Sequence, residues 1–366
     1  GEVECFRSLD GGQSWTKINN WWEYYGDVPH KLHADMMHFS EFKTSGDVPF
    51  LLISNHGGLS ISYDQSFNNE NIGMEGLNVS QYYSVRSPLS EPYLFFAGSQ
   101  DQGFQRGIAL EQGPHDMTQL ISGDYGHIVF SGEEDRLWTV YPGGWVTVYA
   151  DISDDGATDD WSMDSENESV WLPPLHEMAD PDEDAILMAG GNAFGEEGSF
   201  LVRLDYLPAQ QEIEASQYPF DFRAASEGEV SAIEVSKEIP GRIYVATTNG
   251  RFFASSDNGQ SWEQTLNFLP SGHYLYGQTI LASEKYPERV FLGGSGYDNP
   301  PVWISENGGQ TFLPMSEGLP NTLVFELCMD PAEQFLYAAT EAGPYVYVFE
   351  EEQWYDLSGL AAPAQT

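Results

Sequence analysis

Basic residues are scarce in this chain. Its 366 residues include 14 Lys or Arg against 57 Asp or Glu, a formal net charge of −43. A surface so negative repels nucleic acid phosphates, and an anionic membrane surface is disfavoured for the same reason. No stretch approaches the roughly 18 apolar residues of a membrane span. The opening segment, GEVECFRSLDGG, has no charged n-region leading into an apolar h-region, so no signal peptide is expected there, although a processed chain would look the same. There is no P-loop, no CxxC, and no pattern of an activated Ser or Cys nucleophile. Only two cysteines occur, Cys5 and Cys328, near opposite ends. They fit either one long-range disulfide or two unrelated buried thiols. Helical periodicity over ten or more residues is also missing. What remains is 41% hydrophobic and 14% aromatic content, enough for a substantial core and suited to a β-rich fold. The acidic excess, with only five Lys, suggests an extracellular setting in which charge maintains solubility.

The chain repeats itself. Ser8-Leu9-Asp10-Gly11-Gly12-Gln13-Ser14-Trp15 is echoed by Ser255-Ser256-Asp257-Asn258-Gly259-Gln260-Ser261-Trp262 and by Ser305-Glu306-Asn307-Gly308-Gly309-Gln310-Thr311-Phe312. A shortened copy runs Ser62-Tyr63-Asp64-Gln65-Ser66-Phe67. The pattern is that of a hairpin turn: Asp or Asn bonds turn backbone, Gly takes positive φ, and the aromatic anchors the outgoing strand. Asp10, Asp64, Asp257 and Asn307 are therefore read as structural. Around the boxes lie alternating strands such as Ser231-Ala232-Ile233-Glu234-Val235, Arg242-Ile243-Tyr244-Val245-Ala246-Thr247 and Leu323-Val324-Phe325-Glu326-Leu327. Four strands in each ~40–50 residues is the grammar of a β-propeller blade. The expected fold is all-β, a propeller of about seven four-stranded blades. The blades begin near Lys31, Gln81, Thr118, Val170, Val230, Gly277 and Leu323, within a propeller domain spanning 21–366. Residues 1–20 supply only an outer hairpin of an incomplete or ring-closing blade.

The box is the Asp-box, or bacterial neuraminidase repeat, and the likeness extends further. His33-Ala34-Asp35-Met36-Met37-His38, Asn55-His56-Gly57-Gly58, Leu77-Asn78-Val79-Ser80-Gln81-Tyr82-Tyr83, Gly98-Ser99-Gln100-Asp101-Gln102-Gly103, Gly123-Asp124-Tyr125-Gly126-His127 and Trp171-Leu172-Pro173-Pro174 follow in order. The series resembles the secreted sortilin-type and xyloglucanase-like propeller proteins of bacteria. The resemblance implies a secreted or cell-surface protein, and kinship of fold does not carry an activity. His38 stands one residue late, His56 replaces an aspartate of the expected GNDGG, and Gln102 replaces the asparagine of QDNG. Xyloglucanases of this kind set one catalytic Asp from each of two propellers across a cleft, whereas this chain has one propeller's worth of blades. Sialidases share the box but need three arginines around the substrate carboxylate and an RIP-like segment. Nine Arg and no RIP argue against that activity.

His33, Asp35, His38, Asn55, His56, Gln100, Asp101, Asp124 and His127 fall at strand starts and loops in comparable positions, and are the candidate binding residues. Gathered at a channel mouth they could ligate a divalent metal, hydrolyse a glycoside through Asp35, Asp101 or Asp124, or tie loops together by hydrogen bonds. Trp21 and Trp22, with Tyr24 and Tyr25, concentrate aromatics in a connecting segment, able to stack on sugars, anchor a protein, or pack between sheets. Asp151, Ser153, Asp155 and Asp159 have the oxygen spacing of a calcium loop with Gly156 at its turn, but Ser162 replaces the closing Glu. A solvated surface loop is the competing reading. The expectation is a non-catalytic scaffold engaging a protein partner or a glycan, with no cofactor required beyond an optional calcium. The alternative is a glycoside hydrolase, or one propeller of one.

Overall fold

The computed structural model describes residues 3–73, 81–109, 117–163, 171–180, 182–190, 197–268, 270 and 278–359. Among these residues eight antiparallel sheets follow one another, seven four-stranded and one two-stranded. Among the described residues helix is confined to a 3-10 segment, Trp21–Gly26, and one short α-helix, Phe222–Ser226, capped by Asp221. Among the described residues no helix is long and apolar enough to cross a membrane. The chain divides into two compact units, Gly1–Ser80 and Gln81–Thr366. This differs from the expected division after residue 20, because the N-terminal hairpin packs on the sheet that follows it.

In unit 1, Phe6–Arg7 pairs with Thr16–Lys17 to form the hairpin. Sheet 1 follows, with strands Met36–Lys43, Pro49–Asn55, Gly58–Ser62 and Glu70–Asn71. Cys5 and Ile18 of the hairpin pack with Leu32, Met36, Leu51 and Ile53 in a small core.

Unit 2 holds six sheets of the same up-and-down order. Sheet 2 comprises Ser84–Arg86, Leu94–Ser99, Gly103–Ile108 and Met117–Ile121. Sheet 3 comprises Ile128–Ser131, Arg136–Tyr141, Trp145–Tyr149 and Asp159–Ser162. Sheet 4 comprises Leu175–Glu177, Ala185–Gly190, Phe200–Leu207 and Glu212–Gln217. Sheet 5 comprises Val230–Val235, Ile243–Thr247, Phe252–Ser255 and Glu263–Gln264. Sheet 6 comprises Thr279–Ala282, Val290–Gly293, Val302–Ser305 and Leu313–Pro314. Sheet 7 comprises Val324–Met329, Phe335–Thr340, Gly343–Val348 and Gln353–Asp356.

The segment expected to open a blade near Thr118 is instead the outer, fourth strand of sheet 2, paired with Gly103–Ile108, and the next sheet begins at Ile128. Two other expected starts, Val170 and Gly277, and the motif residues 77–80 lie outside the described residues. Buried aliphatic and aromatic side chains of unit 2 fill the spaces between successive sheets, as between sheets 3 and 4 (Trp138, Val146, Ile186, Val202) and sheets 6 and 7 (Phe291, Leu327, Trp354). Because strands alternate in direction, second-to-third turns and fourth-to-first connections share one end of each sheet. The third-to-fourth turns share the other.

Candidate functional site

The four repeated turns at Asp10, Asp64, Asp257 and Asn307 use one hydrogen-bond set. Asp10 Oδ1 accepts from Ser8 Oγ and Ser14 N, both at 2.8 Å, while Ser8 Oγ accepts from Gly12 N at 2.7 Å. Asp257 repeats this with Ser255 and Ser261, and Asp64 with Ser62 and Asn68. Asn307 makes the same bonds without a charge, accepting from Ser305 Oγ and Thr311 N and donating from Nδ2 to Thr311 Oγ1 at 3.0 Å. Hydrogen bonds from the Ser14 and Ser261 side chains lead in pulling the Asp10 and Asp257 carboxyls down to about 2. The turns at Asp64, Asp257 and Asn307 join third to fourth strands, so they occupy the end of their sheets opposite the loops considered next.

In unit 1 those loops are the 18–35 connection and the 55–58 turn. The ring of buried His33 meets Tyr24 edge-on at 4.6 Å, and its Nδ1 lies 3.2 Å from Ala34 O. Gly57 permits this approach, because a Cβ there would stand 2.5 Å from His33 Cβ. Asn55 Oδ1 accepts from Gly57 N at 2.8 Å, and Asp35, at φ +59°, lies 3.4 Å from His56 Nδ1. Trp21 packs edge-on against Trp22 and Tyr25, and all three stay exposed. The structure thus gathers His33, Asp35, Asn55 and His56 at one end, beside the aromatic 3-10 segment. His38 does not join them: a bulge between Met36 and His38 shifts the register, and His38 stands exposed within its strand.

In unit 2 the 100–102 turn of sheet 2 meets the 122–127 connection. Asp101, at φ +61°, donates its N–H to Asp124 Oδ1 at 2.8 Å, and Gln102 bridges Gly123. Asp and Asn tolerate this left-handed geometry better than other side chains. Tyr83 Oη donates to Gln100 Oε1 at 2.8 Å, and its ring meets exposed Trp171 edge-on at 5.5 Å. Tyr141 packs edge-on against Tyr125 at 5.5 Å. Burial, reinforced by the charges of Asp124 and Asp101, raises the pKa of both Tyr83 and Tyr141. Burial likewise pushes Tyr125 up to about 12. The phenols therefore remain neutral donors beside two carboxylates. Gln100, Asp101 and Asp124 come together, whereas His127 belongs elsewhere. Tyr83, Tyr141 and Trp171 complete the cluster; Tyr83 and Trp171 stood in quoted motifs, whereas Tyr141 is the last residue of a strand, Arg136–Tyr141.

His127 belongs to a polar hub formed by first strands of unit 2. Arg86 of sheet 2 donates to Glu326 of sheet 7 at 2.5 Å, across 240 positions of sequence. Burial opposes the Arg86 charge, but Glu326 outweighs it and raises the pKa; burial lowers that of His127 nearby. His176 Nε2 lies 2.9 Å from Glu234 Oε2, while Glu234 Oε1 accepts from Ala282 N at 2.9 Å. One carboxylate thereby ties sheets 4, 5 and 6. Lys237 pairs with Glu177 at 2.9 Å. The sequence signal for this hub is a lone charge within an otherwise apolar first strand, as at Glu234 and Glu326. Cys328 shares a strand with Glu326, and both cysteines of the chain are free thiols.

The 151–159 loop is organised by its own backbone and one guanidinium. Asp151 Oδ1 accepts from Ser153 N and Oγ, Asp159 Oδ2 accepts from Ile213 N at 2.8 Å, and Asp155 pairs with Arg106. Arg106 also donates to Ser153 O at 2.9 Å and Asp154 O at 3.2 Å. The carboxylates of Asp151, Asp155 and Asp159 do not gather within ligand range of one another. The Arg106 guanidinium thus answers part of the loop's negative charge.

No protein-family model matches the sequence, and no curated protein matches it. Among solved structures, the chain is similar to the β-propeller domain of Cps50 (Swd1) from Myceliophteria thermophila, with a TM-score of 0.55 at 11% identity, covering 78% of this chain and 88% of that one. At that identity the likeness establishes fold alone. The fold is of the β-propeller class.

Proposed function

We propose that the chain is a non-catalytic propeller scaffold, secreted or displayed at the cell surface, that binds a protein partner. The working face in unit 2 comprises Tyr83, Gln100, Asp101, Asp124, Tyr141 and Trp171. One observation carries this reading: Asp124 is engaged in holding the Asp101 N–H of the neighbouring turn at 2.8 Å, beside neutral tyrosines and an exposed tryptophan. That is a rigid acid-and-aromatic surface, suited to a partner offering Lys or Arg to carboxylates and π-faces. Propellers in general serve as protein-binding scaffolds, and this role requires no cofactor. The Asp-box turns and the ordered motif series support kinship with secreted bacterial sortilin-type proteins, and the net charge of −43 accords with an extracellular setting.

Paired carboxylates beside aromatics also favour a second reading, glycoside binding with hydrolysis. A hydrolase needs two carboxyls ~5–9.5 Å apart flanking an open cleft. Cross-linking with mass spectrometry on protein isolated from its native source distinguishes the two. A stoichiometric partner cross-linked around 100–102 and Trp171, released by Trp171→Ala, is expected. Turnover of a polysaccharide, abolished by Asp101→Asn or Asp124→Asn with binding retained, would overturn the scaffold reading in favour of the hydrolase.

A further inference from the structure

Sheet 3 carries a polar rung inside the core of unit 2. Side chains along its strands alternate between two faces. Trp138, Val140, Val146 and Val148 pack with residues of sheet 4, whereas Leu137 and Tyr149 pack with Phe96 and Phe104 of sheet 2. Thr139 and Thr147 share that second face. They stand directly opposite each other on the second and third strands, between the Tyr141–Trp145 pair and the Leu137–Tyr149 pair. Sheets 4, 5 and 6 set Met188 against Val202, Val245 against Phe253 and Phe291 against Ile304 in the same pairing of strands. Valine would match threonine in shape and differ by the hydroxyl, so packing alone does not call for threonine here.

Both threonines are buried, and neither Oγ1 has a hydrogen-bond partner among the described residues. Ladder pairing holds their backbones on both sides, Thr139 between Ile128 and Thr147, and Thr147 between Thr139 and Asp160. Tyr149, one rung away on the same face, brings a third hydroxyl. Its ring packs on Phe104 at 5.4 Å, and its Oη is also buried without a partner among the described residues. Burial, reinforced by Tyr125, raises the Tyr149 pKa, so the phenol keeps its proton. Burial, then Tyr141 and Asp160, raise the pKa of Tyr125 in turn. These interactions place the phenols in the same region as the threonine rung.

Each of the three hydroxyls offers one donor and acceptor lone pairs. Left dry, each would carry its full desolvation penalty. A metal cation would meet only lone pairs and leave three O–H groups without acceptors. Water both donates and accepts, and a buried water makes about three hydrogen bonds to groups of this kind. We infer that sheets 2 and 3 enclose a structural-water site, in which water bridges Thr139 Oγ1 to Thr147 Oγ1 and extends to Tyr149 Oη. The site lies one rung beneath Tyr141, so the bound water supports the acid-and-aromatic face from inside the core.

A crystal structure of the full chain, at a resolution that shows ordered water, is the direct test. The expected result is water within hydrogen-bonding distance of both threonine hydroxyls and linked to Tyr149 Oη. Thr139→Val and Thr147→Val, followed by denaturant unfolding, test the same site in solution. Valine in place of a dry hydroxyl removes a penalty and raises stability, whereas in place of a hydrated one it takes a partner from the water. Each single variant is expected to lower the folding equilibrium constant about fivefold. The double variant should lose less than the product of the two, because both threonines hold the same water. Ordered buried water elsewhere but none at this rung, a direct Thr139–Thr147 hydrogen bond, or an ion held there by oxygen atoms would overturn the inference. So would stability that rises in both single variants, or losses that multiply in full in the double variant. If a variant does not fold, the wild-type crystal structure decides.

Discussion

Trp15 and Trp262 occupy the same position of the same eight-residue turn, yet one is 63% exposed and the other packs on Phe222 at 4.9 Å and on Phe220. The other two boxes divide the same way. Phe67 of unit 1 is exposed beneath the Arg7 guanidinium, while Phe312 of unit 2 packs between Phe252 and Phe268. Of 27 exposed large apolar side chains among the described residues, 14 belong to unit 1, which holds about a fifth of the chain. Unit 1 also carries less charge, with 11 acidic and four basic residues against 46 and ten in unit 2. Turn chemistry is local and identical in both units; burial depends on what stands beside the turn. Unit 2 satisfies its apolar faces with its own sheets, whereas unit 1 presents them.

The contrast can be broken or sharpened by substitution. Trp262→Ala should cost about 3 kcal/mol, while Trp15→Ala should stay within about 0.5 kcal/mol, both read from denaturant midpoints. Equal costs would erase the distinction between the units. Within unit 2, Glu234→Ala strands His176 and the Ala282 N–H and should cost about 3 kcal/mol near pH 6. Burial disfavours the His176 charge, but Glu234 outweighs it and raises the pKa. That stabilisation is fully present below the unfolded value of ~6.5 and fades as pH rises through the folded pKa. The gap between wild type and Glu234→Gln should therefore shrink from pH 5.5 to pH 9, and a widening gap would refute the pairing. Trp171→Ala, at an exposed position, should leave stability unchanged and weaken partner binding by about tenfold. The smallest effect is expected for Asp257→Asn, because Asn307 already makes the same bonds uncharged. Its Tm at pH 7 should move by under ~2 °C, but its stability should fall less than that of wild type as pH drops from ~4 toward 2, since the depressed Asp257 carboxyl stabilises the fold only while ionised.

Strand alternation and the repeated turns made most of the sheets legible, since both signals lie within a few residues. The boundary near Thr118 failed because Met117–Ile121, in a sheet with no box, alternates like an inner strand, and alternation does not rank strands within a sheet. Among site residues, Asp101 and Asp124 were legible because turn positions favour Asp at positive φ and at backbone caps. His38 was misplaced by one bulge between Met36 and His38, whose trace in the sequence was its standing one residue late. The hub escaped because its partners stand 58 positions apart at His176 and Glu234 and 240 apart at Arg86 and Glu326. A groove in unit 1 was not legible, because it required Met36 and Phe39 to be placed beside Phe6 and Trp15.

Hydrogen exchange with mass spectrometry on the full chain tests the contrast between the units most directly. The expected result is rapid exchange at the exposed amides of Met36–Lys43 that do not bond to Pro49–Asn55, with stronger protection in the buried first strand Val230–Val235 of unit 2. Equal protection of those Met36–Lys43 amides in the isolated chain would mean that unit 1 presents no open face, and would contradict the account.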